Sequence, residues 1–424
     1  MPRSHTSPFA LGRLQQVALS LMLVTSQAAW AEANPYYIGV SQSFTHNSNV
    51  LRTPSTQSGR GDTISSTGLN AGIDQPFGRQ RLRVNGSLDY NQYSEKSNLN
   101  NSSYGLNTAL DWSTVGRLSG SFNYSNNQRL ADYGEPNTPL LTSKNVQKAQ
   151  EFGARALLGG VTVLSFTGDY SHRTVDYSNP AFVARKFDQD TGSLGIRYRF
   201  SGALDVGGAV RMTRGVYPNF RPAAGGGFEG DTLKRSDFDL SSNWTPTGLT
   251  TVAGRVSMTR VTHSITSGLD FSGLTGSVSV NHTPAGRLRY SAQISRDTGT
   301  AISSYTFTDV NGNVVTGVNN NNRLTNSVQV SVGYEVTAKI QADASLHFRQ
   351  RSLIDTLNQS NGGAATGATG GDTTAGLNLG LSYAPLRNLG LGCRVGYDKR
   401  TTSSALSSTY DSKSVGCSAR YTLQ

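Results

Sequence analysis

Ten arginines set the chemistry this chain offers. Arg81, Arg83, Arg117, Arg155, Arg197, Arg199, Arg287, Arg289, Arg394 and Arg420 alternate with apolar residues that recur at every second position. A period of two sends successive side chains to opposite faces of a strand, so the arginines share the polar face. Most lie within a few residues of a short Gly/Pro turn, which gathers them as a basic collar near one mouth of a pore. A guanidinium presents a fixed fork of N–H donors suited to carboxylate or phosphate, so the collar is a candidate contact for an anionic solute or polymer. Asp89, Asp111, Asp205 and Asp239 fall on the same face and can pair with part of it. Solvated, salt-bridged wall residues are the alternative reading of the same ten positions.

Two cysteines, Cys393 and Cys417, sit on the arms of the last hairpin and share the apolar parity of their strands. Pairing them centres the hairpin near Ala405, inside the polar stretch TTSSALSST. Adjacent antiparallel strands bring such residues within disulfide reach, and an exported chain meets an oxidising compartment. A structural disulfide worth on the order of 3 kcal/mol is expected, with two unbonded small residues as the alternative. No histidine is near in sequence, so no metal site is expected.

Catalytic readings find little. His46, His172, His263, His282 and His347 are isolated in sequence, and GxSxG, HExxH and Walker patterns are absent. Asp169, His172 and Asp176 lie close together at one strand end and are the one grouping that a hydrolase would need. A hydrogen-bonded loop histidine explains them as well. The chain is expected not to be an enzyme and to need no cofactor.

The elements that position these residues are strands of about ten residues. Leu82, Val84, Leu88 and Tyr90 form one outward face; Leu194, Ile196, Tyr198 and Phe200 form another, and Val328, Val330, Val332 and Tyr334 a third. Leu377, Leu379, Leu381 and Tyr383 form a fourth. Eight short turns recur, near Pro76, Gly116, Gly160, Gly202, Pro246, Pro284, Thr337 and Pro385. Longer polar stretches at 126–145, 175–185, 218–231, 298–322 and 355–372 separate them. Inside one stretch, Asp309-Val310-Asn311-Gly312 resembles a calcium loop, but Asn-Gly between Thr/Val runs reads as a hairpin turn. Eight inner turns and nine outer loops require 18 strands, an even count with both termini on the short-turn side. Tyr36, Tyr90, Trp112, Tyr124, Tyr170, Trp244, Phe348 and Tyr397 gather at strand ends, where interfacial girdles belong. The fold class expected is all-β: a transmembrane antiparallel β-barrel of about 18 strands, both termini periplasmic, enclosing water. A soluble β-solenoid would need a repeat of about 20–30 residues, and none is found.

Residues 1–31 read as a cleaved secretory signal: Arg3 and Arg13, an apolar run at 17–24, then the small-x-small site Ala29-Trp30-Ala31. The barrel occupies 32–424. No later segment is apolar enough for a membrane helix, and a mean hydropathy of −0.38 suits strands that meet lipid with alternate residues. Setting aside Arg3 and Arg13 leaves 36 Lys and Arg against 27 Asp and Glu, a net charge of +9 where the whole chain has +11. Nucleic acid is excluded as a partner by export and by the lack of a Lys/Arg cluster with an aromatic platform. Anionic solutes, an anionic polysaccharide or lipopolysaccharide phosphate fit better. The last strand ends Tyr421-Thr422-Leu423-Gln424, so its aromatic residue stands three positions before the end.

The early barrel sequence adds a resemblance. Its residues are Asn34-Pro35-Tyr36, the N-x-x-R of Asn49 to Arg52, Asp62-Thr63-Ile64, Gln80-Arg81 and Asp89-Tyr90. With these motifs the chain resembles the EpsL-type outer-membrane barrels of exopolysaccharide biosynthesis loci, often beside an exosortase, within the broader β-barrel porin class. The match is clearest over about the first 130 residues. It implies a role in biofilm-type polysaccharide export, with periplasmic export or polymerase components as partners, and it brings no catalytic residues. Three functions follow as expectations. The first is passive lumenal guidance of an acidic polysaccharide across the bacterial outer membrane. The alternatives are a diffusive porin for small anionic solutes and a non-transporting surface adhesin or scaffold.

Overall fold

The computed structural model describes residues 34–54, 57, 60–135, 141–160, 162–223, 226–265, 269–298, 306–308, 314–316, 322–354, 369–404 and 406–424. The expected cleavage residues Ala29 and Ala31 lie outside them.

Eighteen strands close into one antiparallel sheet. They are β1 (Tyr36–Asn47), β2 (Asp62–Phe77), β3 (Gln80–Tyr93), β4 (Asn101–Ser113), β5 (Leu118–Leu130), β6 (Val146–Leu158), β7 (Leu164–Tyr177), β8 (Phe187–Arg199), β9 (Leu204–Pro222), β10 (Phe228–Thr247), β11 (Thr250–His263), β12 (Phe271–His282), β13 (Leu288–Asp297), β16 (Asn322–Thr337), β17 (Ile340–Ile354), β18 (Thr369–Leu386), β19 (Leu389–Thr402) and β20 (Tyr410–Leu423). A separate hairpin, β14 (Thr306–Thr308) with β15 (Val314–Thr316), sits in the connection from β13 to β16. Its turn, with Asp309 to Gly312, lies outside the described residues. Each barrel strand pairs with its neighbours in chain order, and β1 pairs with β20 from Ile38↔Leu423 to Asn47↔Ser414, which closes the barrel. Closure removes every sheet edge, the condition for β-structure to cross hydrocarbon.

All eight expected short turns connect strands at one end, which they share with both ends of the wall, Tyr36 and Leu423. At Gly78, with φ of +61°, the β2–β3 turn uses a left-handed conformation that a glycine adopts without strain. The nine longer connections lie at the other end. All five polar stretches overstate their connections, because strands run into 126–130, 175–177, 218–222, 228–231, 322 and 369–372.

The outward faces carry the apolar residues that the period-two pattern places there. Leu194 is 75 % and Phe200 65 % accessible, values that in a water-soluble domain would expose a large greasy surface. Around a closed barrel they form a lipid-facing band, rimmed by Tyr36, Trp244 and Tyr198 near the short turns and by Tyr90, Tyr170, Phe348 and Tyr397 towards the loops. The chain therefore spans the bacterial outer membrane, with short turns periplasmic and long loops outside.

Inside, the molecule is not uniform. The outer third is packed by loops that fold into the lumen. Leu51, Leu99 and Tyr133 from three different loops bury one another beside Val50, Tyr93, Leu130 and Leu141. Phe187, Tyr217, Phe220 and Val175 form a second cluster, near which the 3-10 turn Pro180–Arg185 lays Phe182 on Tyr177. Burying each large apolar side chain contributes roughly 1.5–3 kcal/mol, enough to hold these loops inward.

Candidate functional site

The loop after β5 turns into the lumen and reaches the far wall. Arg351 of β17 donates from Nη1 to Glu135 Oε2 at 3.1 Å, while its other nitrogens donate to both carboxylate oxygens of Asp372 on β18 at 2.8 and 2.7 Å. Arg400 of β19 donates from Nη1 to the Gly134 carbonyl, and its guanidinium lies 3.9 Å from Glu135. Arg351 and Arg400 are both buried, and charges in such a place persist only when paired and hydrogen-bonded. Burial pushes the Glu135 carboxyl towards protonation, but Arg351, Arg400, Arg349 and Arg52 together outweigh it and hold the group well below the usual carboxylate range. Glu135 is thus a fixed anion that ties a bar of chain, 131–135, across the outer mouth.

Local structure seats this bar. Asn49, fully buried, donates to the carbonyls of Thr53 and Asp411 and accepts from the Thr53 amide, which curls the β1–β2 loop inward. The curl puts Arg52, at φ of +52°, over the Tyr410 ring at 5.5 Å, with Arg400 over the same ring at 4.8 Å. Gly134 packs on Arg52; its φ is +69° and a Cβ there would stand 2.9 Å from Arg52 Cβ. Only glycine fits without strain. Asp62, buried, accepts from the amides of Thr63, Glu95 and Lys96 and pins the β3–β4 loop beside it. Asn49, Arg52 and Asp62 together build the outer mouth.

A second charged cluster lines β9 to β13. Arg235 donates to both oxygens of Asp237 at 2.7 and 2.8 Å and to Asp297 at 2.8 Å; Arg211 bridges to Asp239 at 3.0 Å. Thr259 and Ser257 donate to the same aspartates. Arg255, 4.0 Å from Asp297, brings the cluster to three arginines against three aspartates, so it stiffens the wall rather than biasing it.

The ten collar arginines lie towards the periplasmic ends of their strands, with Arg117 and Arg287 in turns rather than on strands. Six are paired: Arg81 with Asp74 and Arg83 with Asp111, each at 2.6 Å; Arg155 with Asp169 and Arg197 with Asp205, each at 3.4 Å; Arg394 with Asp343 at 3.7 Å; and Arg289 with Glu335. Arg199 donates to the Gly160 carbonyl and Arg287 to that of Val336. Among the described residues, Arg117, Arg199, Arg287 and Arg420 have no carboxylate within ion-pair distance. These four leave the inner mouth cationic. Of the aspartates on this face, Asp111 and Asp205 pair with collar arginines, while Asp239 pairs with Arg211 instead.

Cys393 and Cys417 are in register, 4.1 Å apart at Cα, and joined by a disulfide on the lipid-facing side. The hydrolase grouping is taken apart by the wall itself. Asp169 points into the lumen to Arg155, whereas His172 lies on the opposite, lipid-facing side, hydrogen-bonded through Nδ1 to Asp190 at 2.8 Å, with Tyr170 donating to the same oxygen. Among the described residues no group of His, Cys, Asp and Glu is arranged to hold a metal ion.

No protein-family model matches the chain, and no curated protein matches it. Solved structures similar to it are outer-membrane proteins. OpdK of Pseudomonas aeruginosa is 13 % identical with a TM-score of 0.45, covering 92 % of this chain and 99 % of its own. OpdL of the same organism is 10 % identical with a TM-score of 0.43, covering 92 % and 98 %. FauA of Bordetella pertussis, an alcaligin receptor, is 10 % identical with a TM-score of 0.41, covering 94 % and 77 %. At these values no residue role or substrate is carried over.

Proposed function

We propose that this outer-membrane barrel is a passive channel for small anionic solutes. The observation that carries the reading is the bar at 131–135, fixed by Glu135 to Arg351 and Arg400. A small solute passes beside a bar; a polymer chain needs it withdrawn. The unpaired arginines at the inner mouth supply the preference for anions, since rings of arginine favour them in pores. Transport in this reading has no catalytic step and no cofactor.

Guided export of an acidic polysaccharide is the second reading. It is favoured by one observation: the resemblance residues Asn49, Arg52 and Asp62 all build the outer mouth, where a polymer would emerge. A periplasmic partner would then have to move the bar.

Purified barrel in a planar bilayer under a KCl gradient tests the first reading. A reversal potential of the anion-selective sign supports it. Absence of any current overturns it and leaves a scaffold or adhesin. Deleting the gene and measuring surface and periplasmic polysaccharide together tests the second: accumulation inside with loss outside supports export, and unchanged polymer in both removes it.

A further inference from the structure

The lipid-facing side carries a basic patch that the channel reading does not use. Arg214 on β9 and Lys234 on β10 are direct cross-strand partners, and Arg260 on β11 lies opposite Ser236, one outward position below Lys234. All three are exposed and point outward, above Val210 and Met212, Phe238 and Leu240, and Val256 and Met258. Like charges directly opposite one another on a sheet face are destabilising, so the arrangement needs a counter-charge. Among the described residues no carboxylate lies within ion-pair distance of the three, and neither Lys234 nor Arg260 has an acid in register. Asp190 is in register with Arg214 but is held by His172 and Tyr170. Other outward lysines on this rim have an acid in register, as Arg214 does and Lys234 and Arg260 do not. Lys148 is in register with Asp176, and Lys399 with Asp411.

Height in the membrane identifies the occupant. Arg214 stands ten positions above Leu204, where β9 leaves its periplasmic turn, and Arg260 ten above Thr250, where β11 begins. At about 3.3 Å per residue and a tilt of about 40°, ten residues climb about 25 Å, the height of the apolar band. The patch therefore sits where the outer leaflet's headgroups begin. Three cations at one point in that layer match the phosphates of one lipid.

We propose that Arg214, Lys234 and Arg260 form a docking site for a diphosphorylated lipid of the outer leaflet, with its phosphates on the three side chains and its acyl chains along Met212, Phe238 and Met258. The site is independent of what passes through the lumen.

The test is native mass spectrometry of the full barrel in detergent titrated with diphosphoryl lipid A. The variants are Arg214→Gln/Lys234→Gln/Arg260→Gln, the three corresponding single substitutions, and a rim control, Lys148→Gln/Lys399→Gln/Lys413→Gln. Folding is checked by heat-modifiable migration on gels; if the triple variant does not fold, the single variants decide. Affinity for the lipid is expected to fall on the order of fivefold for each patch charge removed and to hold within twofold in the control. Equal losses in both sets would reduce the site to general surface charge and overturn it. Two other results overturn it: equal binding of a dephosphorylated lipid A, and full competition by millimolar pyrophosphate, which would make it a site for free phosphates.

Discussion

Glu135, in the loop after β5, accepts a hydrogen bond at 3.1 Å from Arg351 on β17, a strand eight places away around the 18-strand wall. A contact across nearly the full width of the lumen makes this carboxylate the loop's ionic tie to the far wall, beside the apolar seat of Tyr133 and the bond from Arg400 to the Gly134 carbonyl. Glu135→Gln keeps the shape and removes the charge, leaving Arg351 and Arg400 short of a counter-ion. Breaking a buried pair in this way costs about 3 kcal/mol or more locally, so the bar should leave its seat. Larger single-channel conductance with a stronger anion preference is expected in planar bilayers. Conductance identical to the native barrel would show that the bar does not limit flow.

The same residue sets a pH dependence. Its carboxyl in the folded barrel is held below the ordinary carboxylate range by the four arginines around it. A depressed carboxylate contributes stability above its unfolded value, and that stability is lost only as pH falls through the lower, folded value. Conductance should therefore be flat from pH 8 down to the ordinary glutamate range and rise only in stronger acid. A midpoint close to the ordinary value of 4.5 would mean that Glu135 is not held as a buried anion.

Selectivity should follow the unpaired collar. Replacing Arg117, Arg199, Arg287 and Arg420 with Gln removes cations that no acid offsets, so the reversal potential in a KCl gradient should move towards zero. Replacing the paired Arg81 and Arg83 instead bares Asp74 and Asp111, which offset two of the four unpaired cations, so the potential should move towards zero by a smaller step and keep the anion-selective sign. If neither set moves the potential, the inner mouth does not select.

These contrasts show which parts of the molecule were legible in advance. Leu194, Ile196 and Tyr198 announce their face because alternation is local, and the eight periplasmic turns are short enough for Gly and Pro to mark them. Pairing across strands is a matter of register, so Arg81 with Asp74 could be guessed while Arg351 with Glu135 could not: 216 residues separate them. The seating of the loop is equally hidden, since Asn49 and Gly134 act through backbone geometry. One signal was available. Arg351 and Arg400 stand on strands far from the periplasmic turns, where an arginine facing the lumen needs a partner from a loop.

Gly134 offers a route to the bar that leaves charge alone. With φ of +69° and Arg52 within 2.9 Å of where a Cβ would stand, Gly134→Ala is strained twice, by conformation and by contact. A left-handed alanine costs about 1–2 kcal/mol before the clash is counted. The variant should show the enlarged conductance of Glu135→Gln but the native reversal potential. A shift in selectivity would mean that the bar's position, and not the charge on it, sets ion preference.

The disulfide makes a claim about closure. Cys393 and Cys417 join β19 to β20, and β20 is also the strand that meets β1. The bond spans 24 residues, so in the unfolded chain it removes loop entropy worth about 3 kcal/mol. In the folded barrel the two strands are already paired from Leu389↔Tyr421 to Arg400↔Tyr410, and the ladder does not need the bond to form. Cys393→Ala/Cys417→Ala should therefore fold, close and conduct as the native barrel does, while unfolding at lower temperature in a heat-modifiability series. The native barrel treated with reductant after heating should refold to the lower value. A double variant that fails to close would show that the pairing of β20 with β1 waits for the bond. An unchanged midpoint would show that the ladder alone already restrains the last hairpin in the unfolded chain.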